Sequence, residues 1–236
     1  KDALTANSTG SYITAFGYGA LYANTVNDNT AFGYAALYTN TSGERNTAVG
    51  SEALDHNTTG DDNVAVGHDA ATAITTGAYN TAIGSYALDA NTTGQLNVAI
   101  GYAALTAQNS DAYNTAVGAQ SMQATTSGSL NVAVGRLSLA ANTTGPNNVA
   151  LGYNALAANT TGTSNVAVGK GALKTNTTAG YGVAVGREAL ALNTTGTQNT
   201  AVGDVALYNN TTGAYNVALG RLALYNNTTA NDNTAV

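Results

Sequence analysis

Cysteine and tryptophan are absent from this 236-residue chain, and proline and methionine occur once each. Without cysteine there is no disulfide framework and no thiolate metal site. Charge is scarce too: Asp, Glu, Lys and Arg make up 8% of residues, where globular enzymes carry about a quarter. The balance is acidic, with a formal net charge of −6 and a pI near 4.5, so no nucleic-acid partner is expected. No apolar run approaches the roughly 20 residues needed to cross a bilayer, so this segment is not expected to insert into a membrane. The opening Lys1-Asp2-Ala3-Leu4 has no signal-peptide pattern and reads as the start of an excerpt from a longer fibre. Disorder fits poorly as well, because disordered chains are charge-rich and poor in β-branched residues. A chain with so few charges must bury much of its surface or pair it with copies of itself.

What the chain has is a period. Glycines close an A-x-G triplet at Gly17, Gly33, Gly50, Gly67 and onward to Gly220, spaced by 17 residues after a first interval of 16. The unit reads N-[TV]-A-[VFIL]-G-x-x-A-L-x-x-N-T-T-G-x-x, as in Asn46 to Asp62, and is numbered here 1 to 17. It covers residues 1–236 as a single repeat array with no linker. Such a unit is too short for two helices, and Gly with Asn-Thr-Thr would break a helical run. Two short strands per coil are expected, one around N-[TV]-A-[VFIL] and one around A-L-x-x-N, each ending near a glycine. The fold class is therefore all-β, a parallel β-solenoid (β-roll) of about 14 coils. Stacked coils would align identical residues into ladders, with Asn at 12 and Thr at 13 and 14 bonding from coil to coil.

Charge tests this register. Every Asp, Glu, Lys and Arg falls at position 6, 7, 10, 15, 16 or 17, and every tyrosine at 6, 7, 10 or 17. The variable positions read as solvent-facing turns and the repeated ones as a dry scaffold.

Strand neighbours point to opposite faces. The pattern places the second and fourth residues, such as Val64 with Val66 and Val98 with Ile100, inside the coil. That leaves the third facing out, yet it is Ala in every coil from Ala15 to Ala235. A second dry face implies contact with another chain, and a homotrimer closes such a face without leaving a sticky surface. A flattened coil that hides both faces behind its own turns is the alternative.

At Asn63-Val64-Ala65-Val66-Gly67 and Asn165-Val166-Ala167-Val168-Gly169 the sequence resembles the head repeats of trimeric autotransporter adhesins (YadA-like heads). The half from Ala155 to Gly162 looks more like repeat arrays of phage tail fibres and other large surface proteins. The resemblance implies a trimeric β-roll on a cell surface or virion.

No cofactor, metal or catalytic group is expected. His56 and His68 fall in variable turns of different coils, with no Ser or Cys nucleophile arrangement. Asp61 and Asp62, with Asp55 and Glu52, form the densest acidic cluster but lack the spacing of calcium-binding β-rolls. The N-T-T triplets at Asn57, Asn142, Asn159 and elsewhere match a glycosylation acceptor formally, though their strict period reads better as a ladder. Adjacent threonines point opposite ways, so only one rank would be exposed for ice binding. The candidate contacts are tyrosines: Tyr18, Tyr34, Tyr102 and Tyr153 at position 6, and Tyr22, Tyr38, Tyr208 and Tyr225 at position 10. An apolar ring with a polar tip suits glycan stacking and fibre-to-fibre contact. The expected function is a non-catalytic extracellular fibre segment, a rigid spacer or multivalent adhesin. Its expected partners are copies of itself and host-surface glycans. The alternatives are a self-assembling filament without a receptor and an ice-binding solenoid.

Overall fold

The computed structural model describes residues 2–108, 110 and 112–236. Lys1 and Asp111, two of the charges placed in the register above, lie outside the described residues. The chain forms two compact units, Lys1–Asn114 and Thr115–Val236. Each repeat contributes one coil, made of a short strand at positions 2 to 4 followed by turns. Unit 1 holds β1 (Thr14–Phe16), β2 (Thr30–Phe32), β3 (Thr47–Val49), β4 (Val64–Val66), β5 (Thr81–Ile83) and β6 (Val98–Ile100). Unit 2 holds β7 (Thr115–Val117), β8 (Val132–Val134), β9 (Val149–Leu151), β10 (Val166–Val168), β11 (Val183–Val185), β12 (Thr200–Val202), β13 (Val217–Leu219) and β14 (Thr234–Ala235). Within each unit successive strands pair in parallel and in register, Ala48 with Ala65 with Ala82, and Ala150 with Ala167 with Ala184. The fold is an all-β parallel β-solenoid, with no helix among the described residues.

The segment A-L-x-x-N is not the second strand that the sequence suggests. It is a chain of tight turns in which the Asp55 amide donates to Glu52 O at 3.4 Å and the Asn57 amide to Leu54 O at 3.1 Å. Positions 7 and 9 are both left-handed, as at Glu52 (φ 59°) and Leu54 (φ 53°), and position 17 joins them at Asp62 (φ 57°). A left-handed residue third in a four-residue turn is the type II pattern, where glycine is usual. Here Leu takes that role because the conformation aims its side chain into the coil, and burial of about 2 kcal/mol per leucine offsets a left-handed cost of similar size. The turns still bond between coils: the Leu54 amide reaches Ala70 O at 3.1 Å and that of Asp69 reaches Ser51 O at 3.0 Å.

The two faces of the strand are also reversed relative to the sequence reading. Ala at position 3 faces inward: Ala48, Ala65, Ala150 and Ala167 are fully buried within one chain, together with Ala at 8 and Leu at 9. The residues at 2 and 4 face out, half-buried or exposed. The leucine at 9 is buried in the same interior, to which the strand contributes only a methyl group. The invariant alanine thus reports a single-chain core and does not call for a partner chain.

Two asparagine ladders fill the rest of the interior. At position 12, Asn57 Nδ2 donates to Asn40 Oδ1 at 2.9 Å and to Gly60 O at 3.0 Å. At position 1, Asn46 Nδ2 donates to that same Gly60 carbonyl at 2.8 Å, while Asn46 Oδ1 accepts from the Asn63 amide at 3.0 Å. One carbonyl with two lone pairs serves both ladders, so the buried Nδ2 groups of Asn46 and Asn57, which would each cost several kcal/mol unpaired, are satisfied. Gly60 has no room for a side chain, since a Cβ would lie 2.2 Å from Gly77 O.

Candidate functional site

With the core complete inside one chain, functional chemistry falls to what the coil turns outward. The first such surface is the outer face of the strands. Its rows at 2 and 4 contain Thr, Val, Ile, Leu and Phe and no charge in either unit. Val132 is 37% exposed, Val134 39% and Phe16 64%, and the Phe16 and Phe32 rings stack at 4.6 Å. These residues were missed as surface groups because a valine-rich alternation ordinarily marks a core. Exposed, uncharged and largely apolar strips of this kind are a general feature of interaction surfaces.

The second surface is the ridge of turns at positions 6, 7 and 10. In unit 1 the fold gathers four candidate tyrosines: Tyr18 stacks on Tyr34 at 5.6 Å and Tyr22 on Tyr38 at 4.8 Å. Tyr18, Tyr34 and Tyr38 line a cleft of about 370 Å³ with Ala35, Glu52 and Asp55. Tyr102 meets the Tyr86 ring edge-on at 6.1 Å, a partner that the sequence reading did not single out. In unit 2, Tyr208 stacks on Tyr225 at 5.5 Å, and the Arg136 guanidinium sits 5.9 Å above the Tyr153 ring. Stacking of this kind follows from placing one residue type at one position in adjacent coils, since the coil spacing of roughly 4.8 Å suits offset rings.

Charges sort by turn. At positions 16 and 17, Arg45 grips Asp62 through Nε at 2.7 Å and Nη2 at 3.0 Å, which holds the Asp62 carboxyl below its ordinary range. At position 6, Arg187 grips Asp204 in the same two-pronged way, at 2.8 and 3.1 Å, with the same effect on that carboxyl. On the ridge, burial pushes Asp55 upward against the opposing pull of His56, with Glu52 and Asp69 adding to the rise. Burial likewise raises Asp89 and, with Tyr22, Tyr18, Asp55 and Tyr34, the Tyr38 hydroxyl.

The acidic cluster of the sequence splits: Asp61 and Asp62 face Arg45, whereas Glu52 and Asp55 lie on the tyrosine ridge. Among the described residues no three His, Asp or Glu side chains converge as metal ligands. His68 pairs with Asp69 at 3.1 Å, and His56 is exposed. The N-T-T asparagines Asn57, Asn91, Asn142, Asn159, Asn176, Asn193 and Asn210 are fully buried, which closes them to glycosylation of the folded coil, whereas Asn227 in the last coil is half-buried. Thr at 13 bonds to the next coil, Thr58 Oγ1 to Thr75 O at 2.9 Å, and Thr at 14 forms the one exposed rank, as at Thr59 and Thr76. Comparison with protein-family models, with curated proteins and with solved structures finds no match to this chain.

Proposed function

We propose that this chain is a non-catalytic segment of an extracellular fibre, on a cell surface or a virion, that self-associates and serves as a spacer or multivalent adhesin. The observation that carries this reading is the charge-free apolar strip formed by positions 2 and 4. The coil leaves this strip uncovered, and a cyclic assembly, with three copies favoured, buries it without exposing another. The side chains elsewhere support a structural role, since most polar groups are committed to coil-to-coil ladders. The tyrosine ridge supplies many weak, equivalent contacts, from which avidity for surface glycans would come.

Sedimentation and native mass test the assembly. The full chain is expected to sediment as an oligomer, and Val134→Lys/Val185→Lys/Val202→Lys to keep its β-sheet spectrum and sediment as a monomer. A wild-type chain that is monomeric at every concentration overturns the proposal. Glycan-array or cell binding that weakens in Tyr22→Ser/Tyr38→Ser separates an adhesin from a receptor-free filament.

A further inference from the structure

The ridge at positions 6, 7 and 10 changes sign between the two units. In unit 1 it carries Asp2, Glu52, Asp55, Asp69 and Asp89, and no Lys or Arg after Lys1. In unit 2 the same positions carry Arg136, Lys170, Lys174, Arg187 and Arg221 against Glu188 and Asp204. Pairing within each unit leaves the imbalance open. Arg187 and Arg221 share Asp204, at 2.8 and 3.6 Å, and Arg187 also meets Glu188 at 3.4 Å. Among the described residues Arg136, Lys170 and Lys174 have no carboxylate within ion-pair distance, and Glu52, Asp55 and Asp89 have no cation.

We infer that copies of this chain dock side by side through these ridges, the acidic tyrosine ridge of unit 1 on one copy receiving the basic ridge of unit 2 on another. Charge complementarity is the first argument, because each copy carries both halves of the contact and a second copy supplies what each ridge lacks. The shape of the receiving surface is the second. The cleft of Tyr34 and Tyr38 has Glu52 and Asp55 on its wall, so an entering ammonium or guanidinium group meets aromatic rings and two carboxylates together. The chain already makes half of this contact internally, where Arg136 lies over Tyr153. Register is the third. Both ridges rise from positions 6, 7 and 10 of the repeat, and each gathers a pair of like charges in one coil, Lys170 with Lys174 on the basic side and Glu52 with Asp55 on the acidic side. This contact is separate from the apolar strip and does not depend on it.

Ionic strength distinguishes the two. An ion-paired contact weakens as the screening length falls from about 30 Å at 10 mM salt to about 3 Å at 1 M, whereas burial of an apolar strip survives high salt. Sedimentation velocity of the full chain should show a weight-average mass at 10 mM NaCl at least double that at 1 M. The variants Glu52→Lys/Asp55→Lys and Lys170→Glu/Lys174→Glu should each lose the low-salt step, and their equimolar mixture should regain it. Glu52→Gln/Asp55→Asn, which keeps size and removes charge, should also lose it. The inference is overturned by equal wild-type mass at both salts, by reversed variants that keep the step, or by a mixture that fails to regain it. Capture of poly-lysine by a chain with no salt-dependent self-association also overturns it, by assigning the acidic ridge to a foreign basic partner. A monomeric mass at 1 M with the low-salt step intact would instead count against the apolar-strip assembly alone.

Discussion

The amide of Ile74 donates to the carbonyl of Ala71 at 3.2 Å, and these two buried residues are a matched pair of departures from the repeat. Ala71 stands where most coils have Leu, and Ile74 stands where most have Asn. Both are buried to within 1%, so the isoleucine supplies the hydrocarbon that the missing leucine would have brought. The exchange interrupts the asparagine ladder. Asn57 Oδ1, which faces this coil, is buried without a donor.

Restoring the repeat should therefore work only in combination. Ala71→Leu alone crowds a filled interior, at a cost of about 1–3 kcal/mol. Ile74→Asn alone leaves a void beside Ala71, at a cost of about 2 kcal/mol or more. The double variant fills the void and gives Asn57 Oδ1 its donor, whose absence costs about 1–3 kcal/mol. A double-mutant cycle by urea denaturation is expected to give a favourable coupling above about 2 kcal/mol; additive single effects would contradict this account.

Glycine is expected to matter at one position and hardly at all two residues away. Gly169 has φ 133°, and a Cβ there would lie 2.4 Å from Gly186 O, so Gly169→Ala should cost more than about 3 kcal/mol. Gly171 has φ 67°, the left-handed value that Ala35 and Ala103 adopt at the same position, and its Cβ would meet only the flexible Glu188 side chain at 3.2 Å. Gly171→Ala should change stability by less than about 1 kcal/mol, as thermal melting of the two variants side by side would show.

Acid should reveal the strained carboxylate on the ridge. The Asp55 carboxyl is raised mainly by burial, so its ionisation opposes folding, and that penalty appears as pH rises from its unfolded value through its folded one. Asp55→Asn should melt above wild type at pH 7 and together with it at pH 3. Asp62, lowered by its bond to Arg45, has the opposite sign. Its contribution is present above the unfolded value and is lost as pH falls through the folded one, so Arg45→Met should lower the melting temperature at pH 7 and matter little at pH 2.

Ice binding wants two regular exposed threonine ranks. Threonine at 14 forms one, and the outer strand face mixes Thr with Val at position 2, as in Thr47 beside Val64. Thermal hysteresis of the purified chain is expected to be nil; activity at micromolar protein would revive that reading.

The period, the register and the segregation of charge to turns were legible because each is a one-dimensional property of the repeat. The inward position 12 and the single exposed threonine rank followed from the same logic. Which strand face points inward was not legible. Alternation relates Val64 and Val66 to each other and opposes them to Ala65, but the sense is set by the glycine turn that follows and by the width of the coil. The usual expectation, that the larger aliphatic is the buried one, fails where the interior admits one leucine per coil. The second strand was misjudged for a related reason: no propensity marks Leu54 for a left-handed conformation, which only the neighbouring coil's hydrogen bonds and the leucine's burial make tolerable. The tyrosine cleft depended on which coils carry small groups at position 7, and that required the three-dimensional turn.

Those left-handed residues bear on how such a chain comes into being. Three places in every coil adopt a conformation that an isolated peptide of this sequence would avoid, and each is held by amides and carbonyls of the coils on either side. A lone repeat therefore has no stable form of its own, and a new coil acquires its shape by laying down on a finished one. Growth should resemble the extension of a crystal, with a slow first layer and rapid addition after it, and a defect such as Ala71 with Ile74 is a place where that copying pauses.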